Sequence, residues 1–394
     1  MTNKKKILFL HAGAEMYGAD KILLEIVTGI DKNEFTPVVI LPNHGVLEDA
    51  LQNFGIDVDV LNYPILRRKF FTPFGLVNYV YNYFKYGHQL SRIVSKKQID
   101  LVHVNTAAVL EGIYLKIFAK VPILWHIHEI ILNPEIVYKI TSYLIGKYAD
   151  KIITVSKATE DRLLESSSIS SNKVETIFNG IESEQVTNGS KTLLRNELNI
   201  SKDAIVVGMV GRINAWKGQA EFIDAVSKVI TANPNVHAIL VGGVFEGEEW
   251  RIKTIDELIR NSNNSTKIHR IDFRKNIKDV YAAFDIFVMP SVRPDPFPTV
   301  VLEAMANGLP VVGFNHGGVV EMLDKTSFIE TLVDIGNTDK LADQIINLVK
   351  NKEKRIVIGN NLKDRQVAMF SEKMFLKRFQ VEYRKCIGSD VIDK

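Results

Sequence analysis

The feature that most constrains this chain is an alternation kept up from end to end: short apolar, β-branched runs separated by longer stretches of helical periodicity. Runs at 7–10, 37–41, 58–61, 101–104, 123–127, 151–155 and 174–178 form a first series, with helical patterns between them, for example at 21–30 and 107–119. Strands this continuously hydrophobic are buried on both faces, as in a parallel sheet covered by helices. After Phe178 come Asn179-Gly180-Ile181 and a polar stretch without period. The pattern then restarts at 205–210, 236–241, 268–271, 285–289, 310–313 and 331–333, with helices expected at 219–230, 248–260, 300–307 and 341–349. The chain therefore reads as α/β, with two Rossmann-like doubly wound parallel-sheet domains facing a central cleft, since open sheets of this kind bind ligands outside the carboxyl ends of their strands. The expected boundaries are 1–182 for the first domain, 183–200 for a linker, 201–365 for the second domain and 366–394 for a closing helix that either caps the second domain or crosses back to the first.

A chain of 394 residues fits two domains of ordinary size. With 46% apolar and 24% charged residues it has the balance of a folded globular protein. Its one cysteine, Cys386, cannot form an internal disulfide, and no cysteine set has zinc-ligand spacing, which fits a reducing compartment. The amino terminus carries Lys4-Lys5-Lys6 and then an apolar run far shorter than the core of a secretory signal. No segment reaches the roughly 18 uninterrupted apolar residues of a spanning helix. The expectation is a cytoplasmic protein, or one peripheral on the inner face of the cell membrane.

A net charge of +3 gives no reason to expect a nucleic-acid partner, but its distribution is uneven. Between Asp59 and Asp100 there is no acidic residue, while Arg67, Arg68, Lys69, Lys85, Arg92, Lys96 and Lys97 fall there among Phe70, Phe71, Phe74, Tyr79, Tyr81, Tyr83, Phe84 and Tyr86. A helix of this composition over 67–97 suits an anionic lipid surface. It equally suits a core helix with a solvated basic face.

Two segments of the second series carry chemistry. In Gly211-Arg212-Ile-Asn-Ala-Trp-Lys217-Gly218 a guanidinium and an ammonium sit where a buried strand turns into a helix, beside free backbone amides. That arrangement suits an anionic ligand of two phosphates, the alternative being two solvated surface cations. In Asp295-Pro-Phe297-Pro298-Thr299-Val300-Val301-Leu-Glu303 the prolines stiffen a loop before a helix, and Pro298 is acceptable near helix position one. The amides of Thr299, Val300 and Val301 are then expected to face outward and, with the helix dipole, to form a second anion site. Glu303, about one turn in, can accept hydrogen bonds from a ribose diol, and Asp295 can hold sugar hydroxyls. As alternatives, the loop is a stiff turn and Glu303 a helix-start charge.

From Gly211 to Glu321 the chain resembles the family 4 retaining glycosyltransferases of the GT-B fold. The hallmark of that family is E-x7-E within a stretch like E-P-F-G-x-x-x-L-E-A-M-A-x-G-x-P-V-V. Here the stretch is D-P-F-P-T-V-V-L-E-A-M-A-N-G-L-P-V-V, with Asp295 for the first Glu and Pro298 for the Gly. Gly211-Arg212 and Lys217-Gly218 match the family's G-R and K-G, and His316-Gly317-Gly318-Val-Val-Glu321 its later G-G-x-x-E. Weaker matches in the first half are Gly18-Ala-Asp20-Lys, Trp125-His-Ile-His128-Glu129, Val155-Ser156 and Asn179-Gly-Ile181.

The resemblance implies roles. Arg212 and Lys217 would bind the donor diphosphate and neutralise the leaving nucleotide. Glu303 would hold the ribose, and Asp295, one methylene short, the transferred sugar. His128 matches the histidine near the reacting sugar, and Gly18 the glycine at the head of the first helix. The implied catalytic set is His128, Asp295, Arg212 and Lys217; the implied donor-binding set is Gly18, Gly211, Arg212, Lys217, Phe297, Pro298, Thr299, Val300 and Glu303. The first domain would take the acceptor and the second the donor nucleotide.

His126 and His128 lie on one side of a strand end, because side chains alternate with period two. A histidine there can bond a sugar hydroxyl, handle the acceptor proton, or be a satisfied buried ring. No metal is expected, since no further ligand stands at metal spacing. Asp57-x-Asp59 is taken as a chance D-x-D. The loop from Gly13 to Gly18 lacks both the P-loop and the dinucleotide-binding patterns, which disfavours an NTPase or a nicotinamide enzyme.

The expected function is transfer of a sugar, with retention, from a nucleoside diphosphate sugar to a hydroxyl of a saccharide acceptor, lipid-linked if 67–97 lies on a membrane. Cell-envelope, capsular or lipopolysaccharide synthesis is the setting this implies, with the sugar nucleotide as co-substrate and no cofactor. Alternatives from other classes are a sugar-nucleotide 2-epimerase of related fold and a non-catalytic sugar-nucleotide-binding protein.

Overall fold

The computed structural model describes the whole chain except residues 1–3, 68–69, 167–168, 183–187, 275, 324–328 and 389–394. Arg68 and Lys69 of the basic stretch lie outside the described residues. The chain divides into two compact units, 1–180 with 372–394, and 181–371.

The first unit holds a sheet of β1 (Lys5–Leu10), β2 (Phe35–Leu41), β3 (Asp57–Val60), β4 (Leu101–Val104), β5 (Ile123–Ile127), β6 (Lys151–Thr154) and β7 (Val174–Thr176). Their order is β3-β2-β1-β4-β5-β6-β7, all parallel. Alternation along each strand feeds two cores. Leu8, Leu10, Val38, Ile40, Val102 and Val104 face one side, where Tyr79, Leu90 and Val94 of the helix Pro73–Lys97 pack. Ile7, Phe9, Val39 and Leu41 face the other, against Ile22, Leu23 and Ile26 of the helix Gly18–Gly29.

Three expectations are corrected. The segment 107–119 is not one α-helix: a single turn, Glu111–Tyr114, runs into a π-helical turn, Leu115–Ala119, stopped by Lys120 at φ 54°. The closing segment 366–394 is not one helix. Lys352–Met369 ends at Phe370, and a separate helix, Glu372–Ile387, buries Phe375, Phe379 and Tyr383 in the core of the first unit. The helix expected from residue 67 begins at Pro73, where Thr72 caps it by accepting from the Gly75 amide at 3.1 Å.

The second unit repeats the plan with β8 (Ile205–Val210), β9 (Val236–Val241), β10 (Ile268–Ile271), β11 (Ile286–Met289), β12 (Val311–Phe314) and β13 (Leu332–Val333), in the parallel order β10-β9-β8-β11-β12-β13. The linker expected over 183–200 is also corrected, because Asn188–Glu197 is a helix of this unit. Buried Arg195 ties it down, donating to the carbonyls of Ala283 and Ala204 at 2.9 Å each and to Asp285 Oδ2 at 2.7 Å.

In both sheets the chain reverses direction of growth at one place, between β1 and β4 and between β8 and β11. At such a switch point adjacent loops leave in opposite directions and open a crevice at the carboxyl ends of the strands.

Candidate functional site

In the second unit, β8 runs into Gly211, whose amide donates to the Val241 carbonyl at 3.0 Å. The backbones are so close that a Cβ on Gly242 would lie 1.9 Å from the Gly211 oxygen. Asn214 Oδ1 then accepts from the amides of Trp216 and Lys217 at 3.0 Å each, a side-chain-closed turn. Gly218, at φ +82°, starts the helix Gln219–Ala232, and a Cβ there would fall 1.8 Å from the Pro290 carbonyl oxygen. Only glycine meets both demands. The Val292 amide donates to the Trp216 carbonyl at 2.8 Å, which joins the loops after β8 and β11. Arg212 is held by its plane: its guanidinium carbon stands 3.8 Å from the Phe245 ring centroid.

The loop after β11 is fixed from the other side by the His316-Gly317-Gly318 segment. The Gly318 amide donates to the Asp295 carbonyl at 2.8 Å. A Cβ would lie 2.6 Å from the Asp295 carbonyl oxygen at Gly317 and 2.1 Å from that of Pro296 at Gly318. Across this loop the Lys217 ammonium is ion-paired with the Asp295 carboxylate, both groups partly buried.

The helix Thr299–Ala306 starts as expected in outline, with one correction. Pro298 is the N-cap, at φ −68° and ψ 113°, directly before the first helical residue. Its carbonyl accepts the Val301 amide at 3.0 Å, so Val301 does not offer its N–H to a ligand. The amides of Thr299 and Val300 remain for an anion, because the first N–H groups of a helix have no partner within it. Glu303 accepts from the hydroxyl of buried Tyr281 at 2.7 Å, and Tyr281 also donates to the Val300 carbonyl at 3.1 Å. Phe297 is buried against Phe370 with ring centroids 5.4 Å apart. What it offers a ligand is therefore backbone.

In the first unit, His11 directly follows β1 and Asn105 directly follows β4, the two sides of the switch point. The Asn105 amide nitrogen is 3.1 Å from His11 Nδ1, and His11 Nε2 is 2.6 Å from Asp20 Oδ1. Asn105 Oδ1 is 3.0 Å from His128 Nε2. The partners set the tautomers: His11 donates through Nε2 to the carboxylate, His128 donates through Nε2 to the amide oxygen, and Nδ1 of His128 keeps its lone pair. Asp20 is itself positioned at the head of the helix Gly18–Gly29, where its Oδ2 accepts from the Tyr17 amide at 2.7 Å. Burial, then the neighbouring His11 and His103 rings, hold His128 well below the usual histidine range, so it is neutral.

His126 has a different role. Its ring is fully buried, 3.9 Å from that of His128 and 4.9 Å from Phe379, and it belongs to the core. Glu129 accepts from the Ala107 and His128 amides at 3.1 Å each and closes the loops. Among the described residues no group of histidines, cysteines and carboxylates could hold a metal ion. Asp57 and Asp59 both pair with Lys97, at 2.6 and 3.2 Å.

The structure thus brings Lys217 to Asp295 and sets Arg212, Thr299, Val300 and Glu303 on loops and a helix of the same unit, while Gly18 and His128 belong to the other. Sequence reasoning missed His11, Asn105, Asn214, Phe245 and Tyr281. For His11 and Asn105 a signal existed: each is a polar residue placed directly after an apolar strand run.

On the first unit the helix Pro73–Lys97 has an apolar outer stripe opposite its core face. Phe74 is 91% exposed, Val77 70%, Tyr81 66% and Phe84 54%, spaced as one helical stripe that continues into His88 and Arg92. Phe118 of the π-helical turn is exposed as well, its ring 4.4 Å from that of Tyr114, which packs edge-on against Phe84. No described helix is long and apolar enough to cross a membrane.

Two family models match the chain, "Glycosyltransferase Family 4" over residues 16–185 and "Glycosyl transferases group 1" over residues 190–365. Among curated relatives it is similar to N-acetyl-alpha-D-glucosaminyl L-malate synthase of Bacillus anthracis, 24% identical over 219 residues covering 55% of each chain. It is also similar to the UDP-Gal:alpha-D-GlcNAc-diphosphoundecaprenol alpha-1,3-galactosyltransferase of Escherichia coli, 25% identical over 302 residues, or 69% of this chain and 74% of that one. The matched part spans only 55% and 58% of the length of the Bacillus anthracis enzyme and of the spore coat protein SA of Bacillus subtilis. Among solved structures, that of Anabaena HepE in complex with UDP and glucose superposes with a TM-score of 0.83 at 25% identity, covering 96% of this chain and 99% of HepE. With one model on each Rossmann-like unit and the structural likeness running through both, the chain belongs to the family 4 glycosyltransferases and has the GT-B fold.

Proposed function

We propose that this chain transfers a sugar, with retention of configuration, from a nucleoside diphosphate sugar to a hydroxyl of a lipid-linked saccharide in the synthesis of a cell-envelope polysaccharide. The observation that carries the proposal is the anion site of the second unit, where Arg212, Lys217 and the amides of Thr299 and Val300 stand on loops locked by Gly218, Gly317 and Gly318. Fixed cations and amides of this kind stabilise charge developing on a leaving diphosphate without reorganising. Glu303, oriented by Tyr281, is placed about one turn inside the helix and serves the ribose rather than the phosphates. The leaving diphosphate takes the acceptor proton on the face it departs from, so neither a metal nor a second carboxylate nucleophile is required. Neutral His128, with its Nδ1 lone pair, can accept a hydrogen bond from a sugar hydroxyl.

The acceptor class is supported by the first unit. A stripe of exposed aromatic and aliphatic residues passing into basic ones is suited to an anionic lipid surface, where its apolar part enters the interface and its cations meet the headgroups. The Escherichia coli relative is named for an acceptor carried on diphosphoundecaprenol. This chain would then work from the cytoplasmic face of the membrane, held peripherally.

Thermal-shift measurement against UDP-, GDP- and dTDP-sugars, followed by transfer assays with the sugar nucleotide that stabilises best, tests the proposal. Stabilisation and release of nucleoside diphosphate on adding a lipid-linked acceptor are the expected results. Binding without transfer to any saccharide would leave only a sugar-nucleotide-binding protein, and change of the sugar without an acceptor would make it an epimerase.

A further inference from the structure

We propose that Asp295 is an internal counter-ion which Lys217 exchanges for the donor's diphosphate, and that this exchange lets the site favour an intact nucleoside diphosphate sugar over the spent nucleotide. The inference rests on the sugar-nucleotide function proposed above and adds a division of labour within it.

An acid beside a diphosphate site needs a physical reason, because a carboxylate repels phosphate. The Asp295 carboxylate is paired with the Lys217 ammonium, and both groups are withdrawn from most of the solvent, at 16% and 22% side-chain exposure. A lysine ammonium that binds phosphate cannot keep the same carboxylate at full strength, so the pair must loosen as ligand arrives. The backbone cannot supply that movement. Pro294 and Pro296 stiffen the loop, the Asp295 carbonyl is held by the Gly318 amide at 2.8 Å, and Gly317 packs against the Asp295 amide and carbonyl. Gly218 and the turn closed by Asn214 likewise fix the backbone at Lys217. The change is therefore confined to side chains, with the four-carbon stem of Lys217 swinging and the short Asp295 turning in place.

A bare nucleoside diphosphate takes the lysine and strands a partly buried carboxylate. A sugar nucleotide takes the lysine and presents hydroxyl donors to the same carboxylate, which restores its hydrogen bonds. Asp295 thus penalises product and not substrate, and the penalty assists release of the nucleotide after transfer.

Calorimetric titration of the full chain and its Asp295→Asn variant with UDP, GDP and dTDP, and with UDP-glucose, UDP-galactose, GDP-mannose and dTDP-glucose, tests this. Asparagine keeps the size and the loop contacts but not the charge. In the variant the preferred nucleoside diphosphate should bind about tenfold tighter, and the preference of at least one sugar nucleotide over its own diphosphate should fall by a similar factor. In a Lys217→Ala background the gain in diphosphate affinity should vanish, since the two residues act as a pair. The proposal is overturned if the variant binds nucleoside diphosphates with unchanged or weaker affinity, or if every sugar-to-diphosphate preference stays as in the wild type. Failure of the underlying function looks different: the wild type then binds no nucleoside diphosphate at all.

Discussion

His128 donates from Nε2 to the Asn105 side-chain oxygen at 3.0 Å, and through that amide it is linked to His11 and then to the Asp20 carboxylate. The amide is the only neutral, two-ended connector in the row, so its chemistry decides which nitrogen of His128 keeps a lone pair. Replacing Asn105 by Asp puts a negative charge where a neutral oxygen accepted. The folded-state titration of His128, now held well below the usual range, should move up, and histidine ring signals followed by NMR against pH would report it. An unmoved titration would break the proposed coupling. Asn105→Ala should instead destabilise the chain by roughly 2–3 kcal/mol, because two buried ring nitrogens lose their partner.

Arg212 and Lys217 carry the charge of the leaving group in the proposed reaction. Alanine at either position should lower turnover by roughly two to three powers of ten, the scale for one preorganised donor. Arg212→Lys should not restore it fully, since an ammonium cannot reproduce the flat stack on Phe245. Steady-state transfer rates decide this, and full transfer by the alanine variants would remove both residues from the mechanism.

Glu111 stands entirely buried in the first unit, and burial, opposed by hydrogen bonds from the backbone at Glu111 and Leu110, pushes its pKa up to about 8. The sign follows from proton counting. The unfolded chain releases this proton above the ordinary carboxyl range, whereas the folded chain keeps it to about pH 8. Across that window the folded state binds more protons, so rising pH costs stability at up to about 1.4 kcal/mol per unit, levelling off above the folded value. Glu111→Gln has no such proton. Its melting temperature should exceed that of the wild type by a margin that widens from pH 5 to pH 8, and a constant margin would contradict the shift.

The outer stripe of the helix Pro73–Lys97 is separable from its core face. Serine at Phe74, Tyr81 and Phe84 together should abolish flotation with anionic liposomes while leaving unfolding nearly unchanged, because exposed sites contribute within about 0.5 kcal/mol each. Flotation by the triple variant equal to that of the wild type would rule out this face as the membrane contact.

The strands were legible because burial on both faces leaves a run of aliphatic residues that no solvent-facing element shares. β4, β5, β8 and β9 begin and end where their apolar runs do. The elements that misled were those whose local signal is overruled from a distance. Residues 188–197 are polar, yet they are helical and tied to the second unit by one buried arginine. The break at Phe370 has no glycine or proline to announce it; it is there because the aromatic residues of the last helix find their core in the other unit.

The same division runs through the site. Residue types and spacing alone determined that Arg212, Lys217, Asp295 and Glu303 stand at strand-to-helix turns of a parallel sheet, because side-chain chemistry and local backbone preference act over a few residues. Which of them touch was decided only by the fold. Lys217 meets Asp295 across 78 positions, Glu303 meets Tyr281 across 22, and His128 meets Asn105 across 23. Those pairings depend on sheet order at the two switch points and on glycines that let the loops approach. Both are properties of three-dimensional packing, which no local run of sequence carries.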